Sequence, residues 1–161
     1  MSASGGTLAD TSVRTGAVAR VLDVSSPPEE DIRRTIARYS MLCDDGRFDE
    51  WVDLFTPDAT FHVMGATQEG RDAIKAFVSA GQTAELRGRH VTSNVLIDVD
   101  SWNGTARAWV DLVFVDQEGR ITTVGRYHDV LERGGDKVWR FTMREIVFRG
   151  AEPQLTQPPP A

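Results

Sequence analysis

The sequence predicts an α+β domain in which helices pack on one side of a curved antiparallel sheet. Apolar residues recur at helical spacing in the first third of the chain, whereas after Leu86 they alternate with polar residues. Three short turn sequences, WNG, DQEG and RGGD, divide the second half into long strands joined as hairpins. Helices followed by a meander of strands favour this α+β arrangement, and helices across one mouth of such a sheet would enclose a ligand cavity.

Two helices are predicted before the first strand. The stretch SSPPEEDI begins the first one, with Ser26 as the capping residue, early prolines and acids in the first turn. Its buried face is predicted from Ile32, Ile36, Tyr39 and Cys43. A short second helix follows the Asp-Asp-Gly turn, with its apolar side formed by Phe48, Trp51, Val52 and Phe55. We predict that Trp51 and Trp139 belong to the core.

The remaining elements follow in order. The stretch ATFHVM predicts a strand, and residues 70–79 predict a third helix with an apolar side. Four long strands are then predicted, near residues 91–99, 105–115, 120–132 and 137–149. We place the domain at residues 26–150, after a flexible N-terminal segment at residues 1–25 and before a proline-rich, extended C-terminal tail at residues 151–161.

Composition excludes several classes of protein. The chain has 161 residues, 40% hydrophobic and 26% charged, which is typical of one soluble globular domain. A formal charge of −6 disfavours a nucleic-acid surface, and no apolar run suits a membrane span or a signal peptide. One cysteine excludes an internal disulfide. We therefore expect a cytoplasmic protein that binds neither nucleic acid nor membrane.

Two adjacent carboxylates end the first helix. Asp44 falls at the margin of the apolar stripe, whereas Asp45 points nearly opposite. A carboxylate at a helix C-terminus meets the negative end of the helix dipole, at a cost of about 0.3–1 kcal/mol when it is exposed. One interpretation is a tight turn before Gly46, which suits Asp45 best. The other is that Asp44 faces a cavity and takes part in an active site.

The three histidines all fall on predicted strands. Strand parity places His90 in a polar row with Thr92 and Asn94, which faces either water or a cavity. For His62 and His128 we expect a surface position or a satisfied core position. The sequence has no H-x-H or H-E-x-x-H spacing, so it predicts no metal site. It also lacks the G-x-G-x-x-G, P-loop and G-x-S-x-G signatures of other enzyme classes.

Four blocks of the chain resemble the SnoaL-like family of the nuclear transport factor 2-like superfamily. They are IARYSMLCDDGRFDEWVDLFTPDATF, EGRDAIKAFV, GRHVTSNVLIDV and GRYHDVLERGGDKVWRFTMREI, in this order. The resemblance implies a cone-shaped α+β barrel whose strongly curved antiparallel sheet wraps around the N-terminal helices. Family members include scytalone dehydratase, a bile-acid dehydratase, a dehydrochlorinase, polyketide cyclases and ketosteroid isomerases. Many of these lyases and isomerases use no cofactor, so none is expected here.

The resemblance also implies catalytic residues. Dehydratase-like members end the first helix with an aspartate five residues after a tyrosine, as Tyr39 and Asp44 do, and pair that aspartate with a histidine of the first long strand, here His90. The histidine would abstract a proton, the aspartate would hold its tautomer, and the tyrosine would donate a hydrogen bond to substrate oxygen.

Four further residues are predicted to bind substrate: Asn94, Tyr127, Asp111 and Arg144. Asp111 lies near an acidic position of the bile-acid dehydratase. Arg144 is either an anchor for an acidic substrate or a partner for helix carboxylates. The parity of His128 opposes that of Tyr127, so it does not supply the second histidine of scytalone dehydratase.

Three functions follow from these residues. The first is a dehydratase-like lyase or isomerase that acts on a hydrophobic or polycyclic small molecule. The second is a non-catalytic binding or assembly module, like the small subunit of aromatic-ring oxygenases. An epoxide hydrolase ranks last, because no convincing Asp-Arg-Asp set is evident. Since such sheets commonly pack face to face, we also expect a homodimer or homotrimer.

Overall fold

The computed structural model describes residues 26–160, and the predicted N-terminal segment at residues 1–25 lies outside this range. Residues 26–160 contain three helices: α1 at Pro28–Asp44, α2 at Phe48–Val52 and α3 at Arg71–Gly81. The predicted cap is wrong, because α1 begins after Pro27 and no side chain caps it. Proline at the first position and three acids in the first turn suffice to define this end.

Six strands of the described part of the chain form one curled sheet: β1 at Phe55–Val63, β2 at Ala66–Glu69, β3 at Arg89–Asp100, β4 at Thr105–Val115, β5 at Ile121–Arg133 and β6 at Trp139–Phe148. Their order across the sheet is β2-β1-β6-β5-β4-β3. The α+β half-barrel is confirmed, but the sheet is mixed, since β1 and β6 pair in parallel. After the β1–β2 hairpin, α3 returns the chain to the other end of the sheet before β3 begins. The antiparallel strands β3 to β6 that follow therefore bring β6 beside β1 in the same direction.

The core lies between the helices and the concave face of the sheet. Helix α1 packs against β3 and β6, and its predicted apolar face is buried. Trp51 and Trp139 are 0% and 2% exposed, so their predicted core positions are confirmed. In the part of the chain that the structure describes, no helix is long and apolar enough to cross a membrane.

Strand β2 was not predicted. It forms a hairpin with β1 through Met64 and Gly65, which both have positive φ angles, 53° and 77°. Two such residues in succession suit the tight turns that join strands, and these turns usually carry Asn-Gly or Asp-Gly. The sequence Met-Gly gives only half of that signal.

A β-bulge in β3 changes which residues face the core. Asn94 has φ 48°, and the pairing of β3 with β4 shifts between Ser93 and Leu96. His90 and Thr92 therefore face inward before the bulge, whereas Val95 faces inward after it. The predicted polar row was wrong beyond Thr92, because an added residue reverses strand parity.

The C-terminal tail lies across the outer face of the sheet. Four residues in register on adjacent strands contact it: Trp109, His128, Glu145 and His62. The Glu145 carboxylate accepts hydrogen bonds from the backbone N–H groups of residues 154–156 and from the Thr156 hydroxyl. Residues 151–160 of the tail form no helix or strand, as the prolines predict, yet hydrogen bonds hold them to the sheet at several points.

Candidate functional site

The end of α1 and the start of β3 bring an aspartate and a histidine together. Asp44 Oδ1 lies 2.5 Å from His90 Nδ1, and Asp44 Oδ2 accepts a hydrogen bond from the His90 backbone N–H at 3.1 Å. The Asp44 side chain is 5% exposed and the His90 side chain 10%. These two donors offset the unfavourable helix-end position of the carboxylate. The contact predicted from the sequence is therefore present.

Asp45 has a different environment. Its side chain is half exposed and lies 3.6 Å from the Arg89 guanidinium. The following Gly46 has φ 71°, the left-handed conformation that closes a helix, and its N–H donates to the Cys43 carbonyl. Asp45 thus belongs to the turn, and Asp44 alone is directed to His90.

The contact with Asp44 determines the protonation pattern of His90. A carboxylate accepts hydrogen bonds, so it favours the tautomer that carries its proton on Nδ1. Nε2 then keeps a free lone pair. Since His90 lines a cavity, that nitrogen is the one available to a ligand.

The cavity lies between the concave face of the sheet, α1 and α3, and its volume is about 870 Å³. This is large enough for a bicyclic or polycyclic small molecule. Its walls are largely apolar, and four phenylalanine side chains line it: Phe61, Phe77, Phe114 and Phe148. The Phe114 ring packs edge-on against His90, with ring centroids 4.8 Å apart. His90 therefore faces a largely apolar cavity.

Two tyrosines also line the cavity. The rings of Tyr39 and Tyr127 pack edge-on, with centroids 5.6 Å apart, and both residues are buried. Burial raises the pKa of each phenol well above its ordinary value, so both remain protonated donors. The Tyr127 hydroxyl is buried and has no hydrogen-bond partner among the described residues. None of these residues therefore engages its hydrogen.

Arg144 lies behind these tyrosines. It is 0% exposed, and its Nε and Nη2 each donate to Asp129 at 2.7 Å. Its guanidinium carbon lies 3.8 Å from the Tyr39 ring centre and 4.0 Å from that of Tyr127. Burial alone would lower the pKa of Arg144, but the Asp129 carboxylate outweighs it and the pKa is raised. Neither predicted role of Arg144 fits, because a fully buried guanidinium meets neither solvent nor the cavity.

Asn94 and Asp111 lie apart from the cavity. Asn94 Nδ2 donates to Asp111 Oδ2 at 2.8 Å, and Arg126 Nε donates to Asp111 Oδ1 at 2.6 Å. The hydrogen bond from Arg126 lowers the pKa of Asp111 more than burial raises it, so the pKa is below the ordinary value. The bulge turns Asn94 away from the face of His90. As substrate contacts within this cavity, both predictions were wrong.

The other two histidines, His62 and His128, form hydrogen bonds with the C-terminal tail. His62 Nε2 lies 3.1 Å from the Gln154 side chain, and His128 Nδ1 lies 2.9 Å from the Thr156 hydroxyl. Both side chains are buried, and each has a hydrogen-bond partner in the tail, as predicted for a histidine in the core. The predicted opposition of His128 and Tyr127 is confirmed, so His90 is the histidine that lines the cavity. Within residues 26–160, no three side chains of His, Cys, Asp or Glu are grouped to hold a metal ion.

Sequence reasoning missed three residues of this site. Cys43 lines the cavity, and burial, with the nearby Asp44 charge, raises its pKa to about 12, so it stays a thiol. Gln82 also lines the cavity, one helical repeat beyond Ile74 and Val78 on α3. Gln117, on the β4–β5 hairpin, holds the loop after α3. A polar residue that continues an apolar helical face was the signal for Gln82.

Comparison with known proteins gives the same family. Residues 25–145 match the SnoaL-like domain. No curated protein matches the chain. A protein of unknown function from Mycobacterium tuberculosis, Rv3472, solved as a variant with one substitution, is 28% identical, with a TM-score of 0.68 over 74% of this chain and 75% of that one.

Two further solved structures are similar to the chain. A proposed scytalone dehydratase from Novosphingobium aromaticivorans is 25% identical, with a TM-score of 0.65 over 80% of this chain and 89% of that one. A protein from Catenulispora acidiphila, solved in complex with S-DNPA, is 25% identical, with a TM-score of 0.64 over 74% of this chain and 92% of that one. Proteins of this fold thus bind small molecules. The chain belongs to the SnoaL-like family and has the nuclear transport factor 2-like fold.

Proposed function

We propose that the protein is a cofactor-independent lyase or isomerase of the dehydratase type, which acts on a hydrophobic, ring-containing small molecule. The observation that carries this proposal is the Asp44–His90 pair in an apolar cavity. A structural module has no need of an imidazole held by a buried carboxylate with its second nitrogen free. The similarity to a proposed scytalone dehydratase supports the same class of reaction.

The reaction begins with proton transfer. Nε2 of His90 takes a proton from a carbon next to a substrate carbonyl, and the electrons of that C–H bond form an enolate. Asp44 stabilises the imidazolium that results, because its carboxylate lies 2.5 Å from Nδ1. The largely apolar walls around His90 strengthen this charge interaction.

The second step determines whether the enzyme is a lyase or an isomerase. If the substrate carries a hydroxyl on the next carbon, the enolate electrons form a C=C bond, the C–O bond breaks, and the imidazolium proton goes to the departing oxygen to give water. If the substrate instead carries a C=C bond one carbon beyond the deprotonated carbon, the enolate extends into a dienolate. The imidazolium proton then goes to the far carbon of that bond, and the double bond moves into conjugation with the carbonyl. The Tyr39 and Tyr127 hydroxyls would donate to the enolate oxygen or the leaving group.

The first step is testable without the natural substrate. In D₂O, a bicyclic ketone such as 2-tetralone should gain deuterium next to its carbonyl faster with the protein than without it, as measured by mass spectrometry. His90→Asn should abolish the acceleration, whereas His128→Asn, a histidine of the outer face, should retain it. Equal exchange by the His90 variant and the wild type would remove the enzymatic interpretation. Ligand binding without any exchange would favour the non-catalytic alternative.

We also propose a homodimer or homotrimer, assembled through the part of the outer face that the tail leaves open. Val91, Leu96 and Val124 are 50%, 43% and 42% exposed on strands β3 and β5. Exposed apolar side chains on one face of a sheet favour contact with a second copy. Sedimentation equilibrium should therefore show an oligomer that Val124→Lys weakens; a monomer at all concentrations would contradict it.

A further inference from the structure

One side of the cavity mouth is formed by the loop between α3 and β3, residues 82–88, which we call the mouth loop. Its Glu85 and Leu86 line the cavity and are also exposed to solvent, as are Phe77 of α3 and Arg120 of the β4–β5 hairpin. Residues that both line the cavity and meet solvent mark the place where it opens. The opening that a ligand would use therefore lies beside this loop.

A side chain from the neighbouring hairpin holds the tip of the mouth loop. Gln117 Nε2 donates to the carbonyls of Ala84, Glu85 and Arg87, at 2.8, 3.2 and 3.0 Å. Among the described residues, Gln117 is the one residue outside the loop that hydrogen-bonds positions 83–87. Because Gln117 is exposed, water competes for these bonds, and three acceptors share two hydrogens. The attachment is therefore readily given up.

The two ends of the mouth loop differ in their freedom. Gly88 lies so close to β4 that a Cβ there would be 2.0 Å from the Val115 carbonyl oxygen, so this end is fixed. The neighbouring Arg87 packs its guanidinium against Gly46, at the end of α1. At the other end, a Cβ on Gly81 would meet no atom of another part of the chain within 4 Å. The loop therefore has room to turn about its α3 end while its β3 end stays in place.

The tip of the mouth loop carries an apolar side chain that is largely in water. Leu86 is 60% exposed although it lines an apolar cavity, and Phe77, at the same opening, is 40% exposed. Burial of such side chains is favourable, and an apolar ligand in the cavity would supply a surface to bury them against. The hydrogen bonds from Gln117 hold the loop in the position that leaves Leu86 exposed.

We infer that the mouth loop is a lid, which Gln117 holds open and which closes Leu86 over an apolar ligand in the cavity. On closing, the Gln117 amide and the three loop carbonyls exchange their mutual hydrogen bonds for bonds to water, at small net cost because they lie at the surface. Burial of Leu86 against the ligand offsets that cost. Such a lid would serve a catalyst and a binding module alike, so it does not depend on the reaction proposed above.

A neutral fluorescent probe without a carbonyl group, N-phenyl-1-naphthylamine, tests the lid apart from any chemistry of His90. Fluorescence titration and stopped-flow displacement would measure its affinity and its dissociation rate for the full-length wild type and variants. Gln117→Ala should bind the probe about tenfold more tightly, mainly through slower dissociation, because it removes hydrogen bonds that the open lid alone makes. Gln117→Glu replaces the donor by an acceptor and should also bind more tightly. The control Gln157→Ala, at an exposed glutamine of the tail, should match the wild type.

The contribution of Leu86 is tested in a double variant. Leu86→Ala should release the probe about tenfold faster, since the closed lid loses its apolar contact with the ligand. In the Leu86→Ala background, Gln117→Ala should no longer tighten binding, because closure then buries little. Unchanged thermal midpoints would show that these surface variants fold.

The lid and the proposed reaction stand or fall separately. Unchanged or weaker binding by both Gln117 variants would overturn the lid, because a fixed wall gains nothing when one of its contacts is removed. Equal tightening with and without Leu86 would overturn it as well, and so would failure of the probe to bind the wild type. Tighter binding by the Gln117 variants, together with no deuterium exchange into 2-tetralone, would support the lid and contradict the reaction alone.

Discussion

The Asp44 carboxylate binds His90 twice, through the ring Nδ1 and through the backbone N–H of the same residue. The ring is thereby fixed to the end of α1 as well as to β3. One contact orients the imidazole, and the other anchors the strand on which it is carried. The pair thus connects α1 to β3, the strand whose His90 lines the cavity.

Asp44→Asn should reduce turnover by about a thousandfold while leaving the overall fold intact, because an amide no longer favours the tautomer with a proton on Nδ1. The rate of deuterium exchange into a bicyclic ketone measures this effect. The adjacent substitution Asp45→Asn is the matched control, since Asp45 is half exposed and faces Arg89. A comparable loss in both variants would show that the effect is structural.

Tyr127→Phe should affect activity and stability in different directions. The hydroxyl is buried without a partner among the described residues, at a desolvation cost of about 1–3 kcal/mol, so its removal should leave the free energy of unfolding unchanged or raise it. Exchange should fall by about a hundredfold if the hydroxyl stabilises the enolate oxygen. Urea unfolding and the exchange rate provide the two measurements. A variant with full activity would exclude Tyr127 from the reaction.

The Asp129–Arg144 pair should show strong coupling. Asp129→Val leaves a buried guanidinium without its carboxylate, and we expect it to lower the free energy of unfolding by about 3–5 kcal/mol. The double variant Asp129→Val, Arg144→Met removes both charges and should lose less than the single variant. Urea unfolding of both single variants and the double variant gives the coupling energy. Additive losses would contradict a directly coupled pair.

The tail should loosen as the pH falls. Burial lowers the pKa of His128 in the folded protein below its ordinary value of about 6.5. As the pH falls below that value, the unfolded state binds a proton more readily than the folded state, so the tail contact weakens. Burial tends to raise the pKa of Glu145, but hydrogen bonds from Thr156 and the backbone of residues 154–156 together lower it. This carboxylate contributes stability above its ordinary pKa, about 4.3, which is lost as the pH falls through the lower folded value.

Hydrogen–deuterium exchange of the tail amides, corrected for the intrinsic effect of pH, would measure this release. Glu145→Gln should raise amide exchange at residues 154–156 already at neutral pH. The control is Glu152→Gln, an exposed glutamate of the same tail. Equal protection in the Glu145 variant and the wild type would mean that the carboxylate does not hold the tail.

The sequence determined much of this protein by itself. Helical spacing in α1 and strand alternation in β4 to β6 predicted the α+β class. The period at which apolar residues recur along the sequence indicates which side of a helix or strand is buried. The same spacing placed Asp44 at the edge of the buried stripe and separated it from Asp45. The family resemblance then added His90 as its partner.

Other features were decided only by tertiary structure. The bulge at Asn94 reverses strand parity, and the parallel pairing of β1 with β6 depends on where α3 returns the chain, so neither follows from local pattern. Arg144 could be placed only once Asp129 and two tyrosines closed around it, because the burial of a charge depends on partners distant in sequence.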